Sequence, residues 1–166
     1  MELPEWTNEY YPEKLQHLTD QSYVYNAYNP ELKRFKGGVF VKKVIADWDK
    51  KAENNLKTKI FLYAGHDSTV TNILSAFNVW ESQLPDYGIA GIMELKQNKK
   101  TGESVVELLL KRTSENQPQS LTIPECSQNC KLDELKAFLK DNLPEDRKTA
   151  CKPKAEDFTE PPLGGP

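Results

Sequence analysis

Gly65-His66-Asp67 stands at the end of the apolar run Ile60-Phe61-Leu62-Tyr63-Ala64 and just before a helix-patterned segment, Thr69 to Phe77. An imidazole and a carboxyl at a helix start can grip an anion and hand it a proton. The free N–H groups and partial positive charge of a helix N-terminus favour phosphate. Gly65 permits the close backbone approach and unusual dihedrals of such a turn. His66 can donate a hydrogen bond to a phosphate oxygen. Asp67, when protonated, can deliver its proton to a departing alkoxide as a general acid. The plain alternative is that Asp67 or Ser68 caps the helix and His66 is a surface turn residue.

The elements around this turn follow from hydrophobic spacing. Ile60 to Ala64 is apolar without alternation, which predicts a strand covered on both faces, as in a parallel sheet between helices. The following helix is expected to bury Val70, Ile73, Leu74, Phe77 and Trp80. Before it, Gly37-Gly38 opens a helix whose Val41, Val44, Ile45, Trp48 and Ala52 form one stripe. Tyr11-Pro12-Glu13 begins a first helix with Tyr11, Leu15, Leu18 and Tyr25 on its apolar positions. Ile89–Lys96 and Ser104–Lys111 read as two strands joined by a turn at Asn98–Gly102. A last helix carries Leu132, Leu135, Phe138, Leu139 and Leu143. A doubly covered strand needs hydrogen-bonding neighbours on both sides. An antiparallel hairpin does not provide them, so the implied sheet is larger than the one these segments build.

The 166 residues suit a single core, and a formal net charge of −3 calls for neither nucleic acid nor an anionic membrane as partner. No run is long and apolar enough for a membrane span. Met1-Glu2-Leu3-Pro4-Glu5-Trp6 has neither a basic start nor an apolar stretch, so no signal peptide is expected. Cys126 and Cys130 suit a small local disulfide and an oxidising compartment. Zinc is the weaker rival, because two thiols without a second ligand pair do not complete a tetrahedral site. Cys151 would then be left over. From about Ala150 the periodicity ends, and 154–166 reads as a disordered tail.

Beyond the turn, a longer pattern is present. Ile60 to Val79 resembles the C-terminal signature of the histidine acid phosphatases. Leu84-Pro85-Asp86-Tyr87, Met93-Glu94-Leu95, Ile123-Pro124-Glu125-Cys126, Cys130 and Cys151 follow that family's order and spacing. Leu32-Lys33-Arg34-Phe35-Lys36-Gly37-Gly38 is similar to its basic, Gly-Gly entry to a helix. The resemblance covers about Leu3 to Pro153 and is nearest the prostatic, lysosomal and insect venom acid phosphatases.

The resemblance implies an α/β fold: part of a phosphoglycerate-mutase-like, histidine phosphatase sheet flanked by helices, with a C-terminal hairpin. Residues 1–153 would be the C-terminal portion of that domain. The implied activity is phosphomonoester hydrolysis at acidic pH through a phosphohistidine, without metal or other cofactor, in a secreted or lysosomal setting. Asp67 would be the proton donor and His66 a phosphate ligand. Cys126 and Cys130 would pair, and Cys151 would bond a cysteine in an N-terminal half. The family's nucleophile lies in an Arg-His-Gly-x-Arg motif, which this sequence lacks. Its only histidines are His17 and His66, and its only arginines Arg34, Arg112 and Arg147. His17 has no flanking Gly or Arg and reads as an ordinary helix residue. The chain thus resembles the acid half of a site whose attacking half is elsewhere. The alternatives are a homodimer as the assembled form, and a non-catalytic secreted phosphate-binding, venom or saliva protein derived from the fold.

Overall fold

In the computed structural model, the described residues are 3–53, 55–114, 117–126, 130–146, 157 and 159. The expected tail, 154–166, lies outside them except for Asp157 and Thr159, and so does Cys151. After a tight helical turn at Glu5–Glu9 come α1 (Glu13–Tyr25), α2 (Pro30–Lys33), α3 (Val39–Ala52) and α4 (Asp67–Ala76). The strands β1 (Ala90–Gln97), β2 (Ser104–Lys111), β3 (Gln119–Leu121) and β4 (Cys130–Lys131) follow, then α5 (Leu132–Leu139) and a short turn, Lys140–Asn142. The architecture is α/β, as expected. Among the described residues, no helix is long and apolar enough to cross a membrane.

Asn29 starts α2 by accepting the Leu32 N–H on its side chain at 2.8 Å, with Pro30 in the first helical position. A π-helical turn, Arg34–Gly38, joins α2 to α3, so Gly37-Gly38 directly precedes α3, as expected, but within a continuous helical run. The reason is packing. A Cβ on Gly37 would sit 2.1 Å from the Asn72 carbonyl oxygen of α4, and one on Gly38 2.0 Å from that of Asn142. Only glycine lets these backbones meet.

The stripe of α3 is buried at Val41, Val44, Ile45 and Trp48, as predicted, while Ala52 at its end is only half-buried. It joins Phe77 after α4, Val106 and Leu108 of β2, and Leu132, Leu135 and Leu139 of α5 in one core. The hairpin is also as predicted, shifted by one residue in its first strand. Ala90 pairs with Lys111 and Gln97 with Ser104, antiparallel. Asn98 accepts the N–H groups of Lys100 and Thr101 at 2.9 and 3.3 Å, and Gly102 takes φ +75°. β2 is central: β1 lines one edge, and β3 and β4 pair antiparallel along the other.

The sheet therefore excludes the segment predicted to be its covered centre. Residues 57–65 form no helix or strand and pair with no strand among the described residues. Ile60 and Leu62 are 84% and 94% exposed. Phe61 and Tyr63 are about half exposed and rest on α3. The Tyr63 ring meets Phe40 edge-on at 4.8 Å, and Lys43 Nζ lies 2.6 Å from the Tyr63 hydroxyl. The apolar run expected to be a covered strand forms none, because a strand is a collective property. Without neighbours, its backbone groups turn to water and its alternate side chains stay bare. The apolar positions of α1 behave likewise, since Leu15, Leu18 and Tyr25 are exposed.

Asn142 ties the end of α5 to α4. Its side chain is buried and donates to the Ala76 carbonyl at 2.9 Å. Asn142→Ala should cost about 1–3 kcal/mol, because the carbonyl is left buried without its donor. Urea unfolding should show this as a lower midpoint at unchanged slope, and an unchanged midpoint would show that water replaces the amide.

Candidate active site

The backbone of α4 starts at His66, which has extended dihedrals (φ −81°, ψ 163°) and no side-chain capping bond. Neither Asp67 nor Ser68 is therefore the cap. His66 contributes its carbonyl, which accepts from Thr69 N–H at 3.0 Å and from Val70 N–H at 3.3 Å. Its imidazole is exposed and left for other partners. Asp67 is the first helical residue, where a negative charge suits the helix dipole. Gly65 does not take a positive φ, so of the close approach and unusual dihedrals expected of it the second is not of that kind. A Cβ there would press on the Thr69 side chain at 3.3 Å, so close approach is what glycine provides.

The Asp67 carboxyl is exposed and held at both oxygens. Oδ1 accepts from the Ser68 N–H and Oδ2 from the Tyr23 hydroxyl of α1, the latter at 2.8 Å. Donation to Asp67 raises the Tyr23 phenol above the ordinary tyrosine range, and partial burial and the carboxylate's charge act in the same direction. Nothing in local spacing announces Tyr23, because its partner lies 44 residues away. Thr71, buried one turn into α4, returns its hydroxyl to the Ser68 carbonyl at 3.1 Å and steadies that turn.

The other groups weighed from sequence lie apart from these bonds. His17 is exposed on α1. Arg34 Nε donates to the Asp141 carbonyl at 3.1 Å, and Arg112 donates to the Gln83 side chain. Arg147 is outside the described residues. Among the described residues, no arginine bonds His66 or Asp67, and no cluster of three or more metal-ligating side chains forms. Cys126 and Cys130 are joined by a disulfide beside β4, with Cys130 in the core.

The described geometry thus sets an exposed carboxyl and an exposed imidazole side by side at the start of α4, on an α/β scaffold. Residues 1–118 match the histidine phosphatase superfamily (branch 2), and the chain belongs to that family. It is 31% identical to the prostatic acid phosphatase of Rattus norvegicus over 152 residues, 90% of this chain and 39% of that protein. It is 29% identical to the prostatic acid phosphatase of Homo sapiens over the same shares, and 25% identical to the human lysosomal acid phosphatase over 92% and 36%. The chain thus spans less than two-fifths of the length of these relatives.

Proposed function

We propose that this chain carries the proton-donor side of an acid phosphatase-type site that hydrolyses phosphomonoesters. In this proposal residues 1–153 belong to one phosphatase domain, and the working enzyme is secreted or lysosomal. The observation that carries it is the pairing of an uncapped His66 with an exposed, doubly anchored Asp67 at the start of α4. His66 and the first N–H groups of α4 hold the phosphate oxygens. A histidine nitrogen from an Arg-His-Gly-x-Arg segment, supplied by another stretch of polypeptide, attacks phosphorus. The ester P–O bond breaks, the leaving oxygen takes the Asp67 proton, and water later cleaves the phosphohistidine. Cys151 is the proposed covalent link to that other stretch.

Two features support the need for such a partner. The apolar run at 60–64 is exposed and pairs with no strand among the described residues, and the two arginines described are engaged elsewhere. Inorganic phosphate titrated into the chain at acidic pH tests the site itself. Amide signals of His66, Asp67 and Ser68 should respond. His66→Ala should weaken binding about tenfold or more, the worth of one hydrogen bond to a charged group. A response centred elsewhere, or one indifferent to His66→Ala, would remove the proposal.

A further inference from the structure

The contact between α1 and α4 does more than join two helices. Tyr23 Oη reaches Asp67 Oδ2 at 2.8 Å, and further along Asn26 Nδ2 donates to Asn72 Oδ1 at 2.9 Å. Beyond α4, Gln21 Nε2 meets Ser82 Oγ at 3.2 Å. The last two turns of α1 are thereby registered against α4 and the segment that follows it. Tyr23 is half-buried in this contact, so its ring has already lost much of its rotamer freedom.

The two bonds on the Asp67 carboxyl are of different kinds. The one from Ser68 N–H is local and moves with the turn. The one from Tyr23 comes from another element and ties the carboxyl to the packing of α1 on α4. Two anchors on two oxygens fix a plane. A carboxylate has about four lone-pair sites, so each oxygen keeps one for a proton or a ligand.

We propose that Tyr23 is a positioning residue for Asp67, holding the carboxyl plane fixed so that its proton is offered in one direction at the mouth of the turn. This rests on Asp67 being the proton donor. A general acid helps only if its proton lies within hydrogen-bond reach of the leaving oxygen. A carboxyl held by Ser68 alone swings about its own side-chain torsions. The phenol, fixed by the packing of α1 on α4, stops that swing.

The test uses the full chain with isotope-labelled tyrosine and aspartate, read by NMR. Tyr23→Phe assigns the phenol signal and Asp67→Ala removes its acceptor. In the wild-type chain the Tyr23 phenol should titrate above the ordinary phenol range, and in Asp67→Ala most of that upward shift should be lost. The sign follows from the raised value. The bond contributes stability below the ordinary phenol range, about pH 10, and the contribution is lost as pH climbs through the higher folded value. Asp67 side-chain couplings should report one rotamer in the wild type and an average over several in Tyr23→Phe, while the thermal transition stays cooperative. A phenol indifferent to Asp67→Ala, or an Asp67 rotamer unchanged in Tyr23→Phe, overturns the positioning role. Inorganic phosphate added to the same samples separates the two levels. If phosphate binds while the phenol and carboxyl are uncoupled, only the positioning role falls. If phosphate perturbs neither His66 nor Asp67, the proton-donor assignment falls and takes the positioning role with it.

Discussion

Given an aryl phosphate at acidic pH, the purified chain alone is expected to release phenol no faster than buffer does. The expectation follows from what surrounds Asp67. The proposed chemistry needs a nucleophilic nitrogen and a cationic clamp around the phosphoryl oxygens, because phosphoryl transfer is mainly positioning and charge stabilisation. The histidine beside Asp67 is the proposed phosphate ligand, and the other, His17, is exposed on α1. Arg34 and Arg112 bond to Asp141 and Gln83. Removing a nucleophile from a comparable covalent mechanism costs about a millionfold in turnover, and each lost charge-stabilising donor about a hundredfold or more. A proton donor without either leaves nothing to measure. Robust turnover that disappears in Asp67→Asn would mean that these 166 residues hold the whole catalytic set.

Gly37→Ala should be the most damaging of the small substitutions. The new methyl would stand 2.1 Å from the Asn72 carbonyl oxygen and 2.9 Å from Ala76 Cβ. The first is backbone in mid-helix and cannot step aside, so α4 must retreat from the π-helical turn. Overpacking of this kind costs about 3 kcal/mol or somewhat more. In a chain of this length that lowers the midpoint of thermal unfolding by roughly 6–12 °C. Gly38→Ala should do the same through the Asn142 carbonyl, 2.0 Å from its added Cβ. A midpoint within a degree or so of wild type would show that α4 packs farther from this turn. Because α4 carries Asp67, the same substitution should also disturb the phosphate response of the turn.

Much of this was legible in the residues. The α3 stripe, the β1–β2 hairpin and the apolar face of α5 were read from spacing, because each buries its face within the chain. The helix start after Gly65-His66 was read from the abrupt change of period. Three things were not. The Ile60–Ala64 run has the composition of a covered strand but no neighbour to pair with among the described residues, and composition cannot say whether a neighbour is present. Gly37-Gly38 looked like an entry to a helix, whereas its role is set by Asn72 and Asn142, far off in sequence. Tyr23 sits on a helix whose stripe drew attention to Leu15, Leu18 and Tyr25, and its polar partner appears only once α1 lies against α4.

The donor assignment meets its most direct test in a mixing assay. The chain is combined with a separately made polypeptide bearing the Arg-His-Gly-x-Arg segment of an acid phosphatase, and aryl phosphate turnover is followed at acidic pH. Turnover should require both polypeptides and fall to background when the chain carries Asp67→Asn. Turnover that persists undiminished with Asp67→Asn would contradict the assignment of the proton donor.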